Sequence, residues 1–556
     1  MRYSLLFLLA LIIPPAAHAA SDQLTLAAQL FQAGSPQLAL YEVDAGQPAK
    51  HDAPDWLAWE RLRLSLLVTL GRSQDVLRRT EQMPAGLPND FLRDAYLAGA
   101  QAALKLGQGE QARTYLARLL WQLEPVADHA AIRRLVLESY LVERRAADAY
   151  LVQLRYQQDF PQPDKIMLAR TAELMHDAGM VHEAAMWLPQ LDDSPLKLLL
   201  KLDVGLMASD MAVAEARRLL QKNGSANYWG VVLHAAQRQQ NATLAQEARE
   251  RLLNMTELPL AGPFHANAKS MWKAYTALSQ DVANQSSLLV GDDAAWLELA
   301  ARMAVSSPVN ARSLLVYLSG AAQTAVVRAD AEYKFVMSLR DGKLGLAALR
   351  LFAQQEISNM PPAVRVVMGE LADEAKRPVE TVQYWHGLDN PPAGFTMRQW
   401  QLKRSVAFIG ARAFSDAEDA LSRLLADAKS LPAEQAHAAL QLLLDMRESG
   451  GSAYAERLLK QWLPLASPLQ HKDILFALGD IAESNSQYAT AARYFMQATV
   501  AAGSRDSFAQ TLRLRAAVNL AKAGLTDDAR SQYQFLLNAT KDKTQQEAIK
   551  RALAKL

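Results

Sequence analysis

The stretch LFALGDIAESNSQYATAARYFMQATVAAG, Leu475 to Gly503, decides the fold of this 556-residue chain. Apolar or small residues fall at Phe476, Leu478, Gly479, Ile481 and Ala482. A polar turn, SNSQ, follows. A second run then places Tyr488, Ala491, Ala492, Phe495, Met496 and Ala498 at spacings of three and four. Such spacings put each set on one face of a helix, so the stretch reads as a helical hairpin with its apolar faces turned inward. Small residues at Gly479 and Ala491 let the two helices approach closely.

The hairpin is one unit of many. Second-helix anchors recur at Ala311, Ala347, Thr381, Ala417, Ala455, Ala491 and Ala529, separated by 36, 34, 36, 38, 36 and 38 residues. Four residues after each stands a large apolar residue: Leu315, Leu351, Trp385, Leu421, Leu459, Phe495 and Tyr533. Alanine is common enough to fall at such intervals by chance, but the paired large residue is not. Toward the N-terminus the anchors Ala39, Val76, Ala112, Ala147 and Ala184 follow, then Ala216, Ala248 and Ala283. A fixed period of about 34 to 40 residues is the mark of stacked helical repeats.

The order of small, small, aromatic and alanine at Gly479, Ala491, Phe495 and Ala498 resembles the tetratricopeptide repeat. Gly503 stands where that family has proline, and the early tryptophan is missing, so the match is to the fold more than to a strict consensus. The expectation is an all-α chain, a right-handed superhelical α-solenoid of about fifteen such hairpins. A Pro/Gly-rich stretch at Thr256–Phe264 divides it into segments 20–258 and 264–556. Enlarged loops are expected at His386–Thr396 and near Asp159, with a capping helix in KTQQEAIKRALAKL at the C-terminus.

Residues 1–19 read as a secretory signal: Arg2, an apolar run from Leu5 to Ile13, Pro14-Pro15, then Ala17-His18-Ala19 before the cut. The 59 basic residues less Arg2 equal the 58 acidic ones, which argues against general nucleic-acid binding. The chain has no cysteine, which excludes disulfides, thiol catalysis, zinc–thiolate sites and a lipoprotein anchor. With no later apolar stretch of spanning length, the expectation is a periplasmic protein without an integral membrane span.

Catalytic and metal motifs are weak. His182-Glu183 is half of a zinc-protease motif, with Met186 where the second histidine belongs. His176 and nearby methionines are better read as helix-end and core residues, so no metal or other cofactor is expected. The chain resembles in class the helical ring of lytic transglycosylases. The catalytic pattern of that family is not carried: Glu138-Ser139, Glu448-Ser449 and Glu483-Ser484 lack a downstream Gly-Leu-Met-Gln, and Gly205-Leu206-Met207 runs into Ala208. No nucleophile elbow or phosphate loop is found, and the chain is read as a non-enzyme.

The resemblance to tetratricopeptide repeats implies groove residues on the first helix of each unit. In this sequence these are Asp473, Phe476, Asp480 and Glu483, and one unit earlier His437, Leu440, Leu444 and Arg447. Trp385 and Trp462 fall on packing positions and read as core. Trp56 and Trp400 lie outside them and read as contact residues. The implied function is a scaffold that binds envelope proteins or peptides in polysaccharide export, pilus or secretion machinery, or cell-wall synthesis. The alternative is a ring that binds peptidoglycan or polysaccharide.

Overall fold

The computed structural model describes residues 22–53, 55–123, 128–162, 164–257, 267–502, 508–540 and 542–556. The expected signal at 1–19, most of the stretch at Thr256–Phe264, and Gly503 lie outside them. The described residues are helical throughout, with no strand among them. No helix of theirs is long and apolar enough to cross a membrane.

The quoted stretch is the hairpin Pro468–Ser484 and Tyr488–Ala502. Pro468 suits a first helical turn, where its missing N–H has no partner to lose. Phe495 is fully buried against the first helix. A Cβ placed on Gly479 would stand 2.6 Å from its ring, so glycine is what lets the ring enter. The same fit recurs at Gly369 and Trp385, also sixteen residues apart, where a Cβ would meet the indole nitrogen at 2.0 Å.

Fourteen of the fifteen anchors are buried. Ala39, Ala112, Ala184, Ala216, Ala248, Ala347, Ala417, Ala455, Ala491 and Ala529 are wholly inaccessible, and so is Thr381. All seven large residues paired with the C-terminal anchors are buried too. One anchor shifts: Ala147 faces outward and Ala149 fills the buried position.

Ala283 corrects differently, because it lies on a first helix. Ala268–Gln285 packs on Pro308–Ala321 as its hairpin partner, and an extra helix, Asp293–Ser306, intervenes in sequence and lies against Pro308–Ala321. Among the described residues, seven hairpins precede this lengthened one and six follow it. The helix Lys543–Leu553 closes the array by burying Ile549 against Phe508–Lys522 and Thr526–Ala539.

A second periodic feature lies in the turns. Most hairpins pass through one residue in the left-handed region, as at Gly71 (φ +70°), Gly107 (φ +78°), Lys343 (φ +57°) and Ser486 (φ +59°). At Ser486 the chain leaves the first helix and Gln487 bonds back to the carbonyl of Ala482, which closes the helix end.

By its contacts the chain forms two units, which divide between Ala245 and Gln246. The division falls inside the helix Ala242–Leu253 and earlier than the expected 258. The reason is chemical: residues from 246 to 256 are tied into the second unit. Glu250 pairs with Arg312, the Asn254 side chain bonds the Lys343 carbonyl (3.1 Å) and the Ala347 N–H (3.2 Å), and Arg350 donates to the carbonyls of Met255 (2.5 Å) and Thr256 (3.1 Å). Glu250 is wholly buried. Its carboxylate takes two bonds from the Arg312 guanidinium (2.9 and 2.5 Å) and one from the Tyr275 hydroxyl (2.7 Å).

Candidate functional site

Consecutive first helices lie side by side, and their charged residues are joined across them at a distance of one repeat. Arg447, just past Ala433–Met446, bonds Asp480 of Pro468–Ser484 at 2.9 Å. Arg515 of Phe508–Lys522 holds both Asp480 and Glu483, and Lys522 stands 3.5 Å from Glu483. The Arg515 guanidinium also lies over the Phe495 ring, 4.5 Å from its centre. Burial pushes the Glu483 carboxyl up, but the hydrogen bond and charge of Arg515 outweigh it and hold the group below its ordinary value.

The same construction appears elsewhere. Arg340 bonds Glu370 (2.7 Å) and Glu374 (3.1 Å) on the next first helix, and Glu370 meets Lys403 (2.5 Å) on the one after. In the first unit Arg61 meets Asp94 at 2.9 Å, and Asp203 gathers His176 (2.8 Å), His234 (2.5 Å) and Arg238 (3.0 Å). Burial pushes the Asp203 carboxyl up, yet hydrogen bonds from both imidazoles and their charge hold it far below the usual range. Rungs of this kind bridge neighbouring repeats. Each is partly exposed, where ion pairs contribute about 0–1 kcal/mol.

The implied groove residues therefore divide. Arg447, Asp480 and Glu483 come together, but as mutually neutralising partners. Phe476 is half-buried, its ring 6.0 Å from Phe495 and 5.3 Å from Phe508. Asp473 and His437 are exposed at equivalent positions of adjacent first helices, 36 residues apart in sequence. Leu440 is buried and Leu444 half-buried.

Trp400 is a correction. It is wholly buried, its indole N–H donates to the Leu388 carbonyl at 2.7 Å, and its ring meets Trp385 edge-on at 5.3 Å. Its place is the core between two hairpins. Trp56 is buried as well, and the tryptophan that does face outward is Trp121, 72% exposed.

Sequence reasoning missed a cleft of about 460 Å³ beside the lengthened hairpin. Trp272, Phe335 and Phe352 form its aromatic wall, and Glu332 and Glu356 bring carboxylates to it. The Trp272 indole is fixed by a bond to the Leu351 carbonyl at 3.2 Å, with Phe335 and Phe352 each 5.7 Å from its ring. Burial alone pushes the Glu332 carboxyl up.

These features define a class: an all-α helical-repeat solenoid whose first helices carry an ionic band. No protein-family model matches the chain, and no curated protein does. Among solved structures it is similar to the pentatricopeptide repeat protein PPR10 from maize, at 13% identity over 93% of this chain and 89% of that one, with a TM-score of 0.27. It is also similar to Naa15/Naa10 bound to HypK-THB (12% identity, 96% and 78% covered, TM-score 0.29). A third is the APC/C hetero-tetramer Cut9-Hcn1 (10%, 96% and 97%, TM-score 0.27). Superpositions this loose carry no argument about partner or activity. The fold rests on the order and packing of the helices themselves.

Proposed function

We propose that the chain is a non-catalytic scaffold of the periplasm, which holds envelope proteins or extended peptides along the ribbon made by its first helices. One observation carries the reading. In the last hairpins the ribbon is an ordered band of fixed charge, Arg447, Asp480, Glu483 and Arg515, flanked by Asp473 and His437, which are exposed. A preorganised surface of this kind loses little side-chain freedom when a partner docks, so weak contacts summed over several repeats give useful affinity.

The band itself is unsuitable for mutation, because reversing Asp480 or Glu483 would set like charges against Arg447 and Arg515. The test uses Asp473→Lys with His437→Glu. The tagged protein is recovered from gently crosslinked envelopes and its companions are read by mass spectrometry. The N-terminus of the recovered chain is sequenced, with Ala20 expected. A discrete set of envelope proteins, lost from the double variant at unchanged melting temperature, is the expected result. Recovery of only cell-wall fragments or polysaccharide would overturn the scaffold.

A further inference from the structure

The cleft beside the lengthened hairpin plays no part in the scaffold's ionic band, and its chemistry is different. Its volume, about 460 Å³, falls among small-ligand sites, which run from about 300 to 1,000 Å³. The wall comes from Ala268–Gln285, Pro308–Ala321 and Ala325–Asp341, closed by Gly345–Phe352 and the turn after it. Trp272 is locked by its own hydrogen bond and by two neighbouring rings, so its orientation is set before any ligand arrives.

The charges are one-sided. Glu332 and Glu356 line the cleft and no lysine, arginine or histidine does. Glu356 accepts a bond from the Asn359 amide at 3.0 Å. Glu332 is half-buried and, among the described residues, has no hydrogen bond or ion pair. By contrast Glu370, Asp480, Glu483 and Asp203 each hold a cation. A half-buried carboxylate without a counter-charge is a standing cost that an entering cation would relieve. An indole lining the same cleft supplies the second element of cation recognition, since the negative face of the ring attracts ammonium and guanidinium groups. A neutral sugar would stack on Trp272 but leave Glu332 uncompensated.

We propose that this cleft seats a cationic side chain, lysine or arginine, of a peptide partner, with the Trp272 ring and the Glu332 carboxylate as its two contacts. The proposal rests on the scaffold reading only in taking the partner to be a peptide. It adds a point of sequence selectivity at one repeat of the array.

The test is calorimetric titration of the full chain at low ionic strength with N- and C-blocked glycyl-lysyl-glycine, its arginine counterpart, its norleucine counterpart and N-acetylglucosamine. The two cationic probes bind and the norleucine probe does not. Glu332→Gln weakens the lysine probe about tenfold, and Trp272→Phe about threefold. Equal binding of norleucine, binding of the sugar in place of the cations, no binding of any probe, or an unchanged affinity in Glu332→Gln would each overturn the proposal. Should Trp272→Phe fail to fold, Glu332→Gln decides alone, because its side chain has no partner to lose and its melting temperature is expected to hold or rise. The envelope capture through Asp473 and His437 is read separately, so either reading can fail without the other.

Discussion

Gly479 is small because Phe495 needs the room. Replacing it with alanine restores helix propensity worth up to about 1 kcal/mol. It also drives a methyl into a ring held on all sides, and overpacking of that kind costs about 1–3 kcal/mol. The clash wins, and Gly479→Ala is expected to lower stability by about 1–2 kcal/mol in urea unfolding. A gain in stability would mean that the ring has space to move. Asp203 makes a prediction about pH. Against the upward push of burial, its carboxyl is held low in the folded chain by hydrogen bonds and charge from His176 of Lys165–Asp177 and His234 of Tyr228–Arg238. The unfolded chain therefore takes up the proton first, and the stability contributed by Asp203 is present above about pH 4 and lost progressively below it. The urea midpoints of the native protein and of Asp203→Asn should differ at pH 6 and converge as the pH falls toward 3. A gap that widened on acidification would refute the assignment.

At the scale of elements, two periodic signals run through the chain and only one was legible. The alanine and large-residue pair was visible because its chemistry is constant: a small residue at the closest approach of two helices, a large one a turn further on. The left-handed turn residue is equally regular in space. Glycine marks it at Gly34, Gly71, Gly107, Gly179 and Gly205, but Arg144, Lys343, Lys376, Arg412 and Ser486 hold the same conformation elsewhere, so no single residue type reveals it. At Gly107 a Cβ would meet nothing within 4 Å, which leaves the backbone as the sole cost. Gly107→Ala should therefore destabilise by about 1–2 kcal/mol, the left-handed penalty of an L-residue, and Gly107→Asn by less. Thermal melts of the two variants check the order. The inserted helix explains why Ala283 falls on a first helix: it lengthens the stretch between Ala248 and Ala311 beyond one repeat. The family resemblance places Arg447, Asp480 and Glu483 on groove positions of the first helices, but it reveals neither that they neutralise one another nor Arg515, which arrives from the following repeat. Trp400 was misplaced because its burial depends on Trp385 of the preceding hairpin, a contact that no spacing announces. The cleft was invisible for a like reason: its lining is scattered from Trp272 to Met360 with no motif among the residues.

At the scale of the whole molecule, stability in a repeat array is a sum of local terms and interfaces between neighbours. Glu250 sits near the start of the second unit, where its pairing with Arg312 and Tyr275 draws three helices together. Glu250→Gln leaves the buried guanidinium uncompensated and should cost about 3–5 kcal/mol. Amide exchange should locate the loss. Faster exchange is expected in Ala268–Gln285, Pro308–Ala321 and Ala325–Asp341, with Trp56–Thr69 and Asn89–Lys105 unchanged. Loss spread evenly through both units would show the array to be one cooperative block. The lengthened hairpin has a consequence for engineering. Between Gln285 and Pro308 the connection already carries a whole extra helix, packed on Pro308–Ala321, while the flanking helices stay packed on each other. Closing a longer loop costs only about 0.6 kcal/mol per doubling of its length. That connection is therefore a natural port for a fluorescent reporter or affinity module, spliced in mid-chain where both termini would remain free.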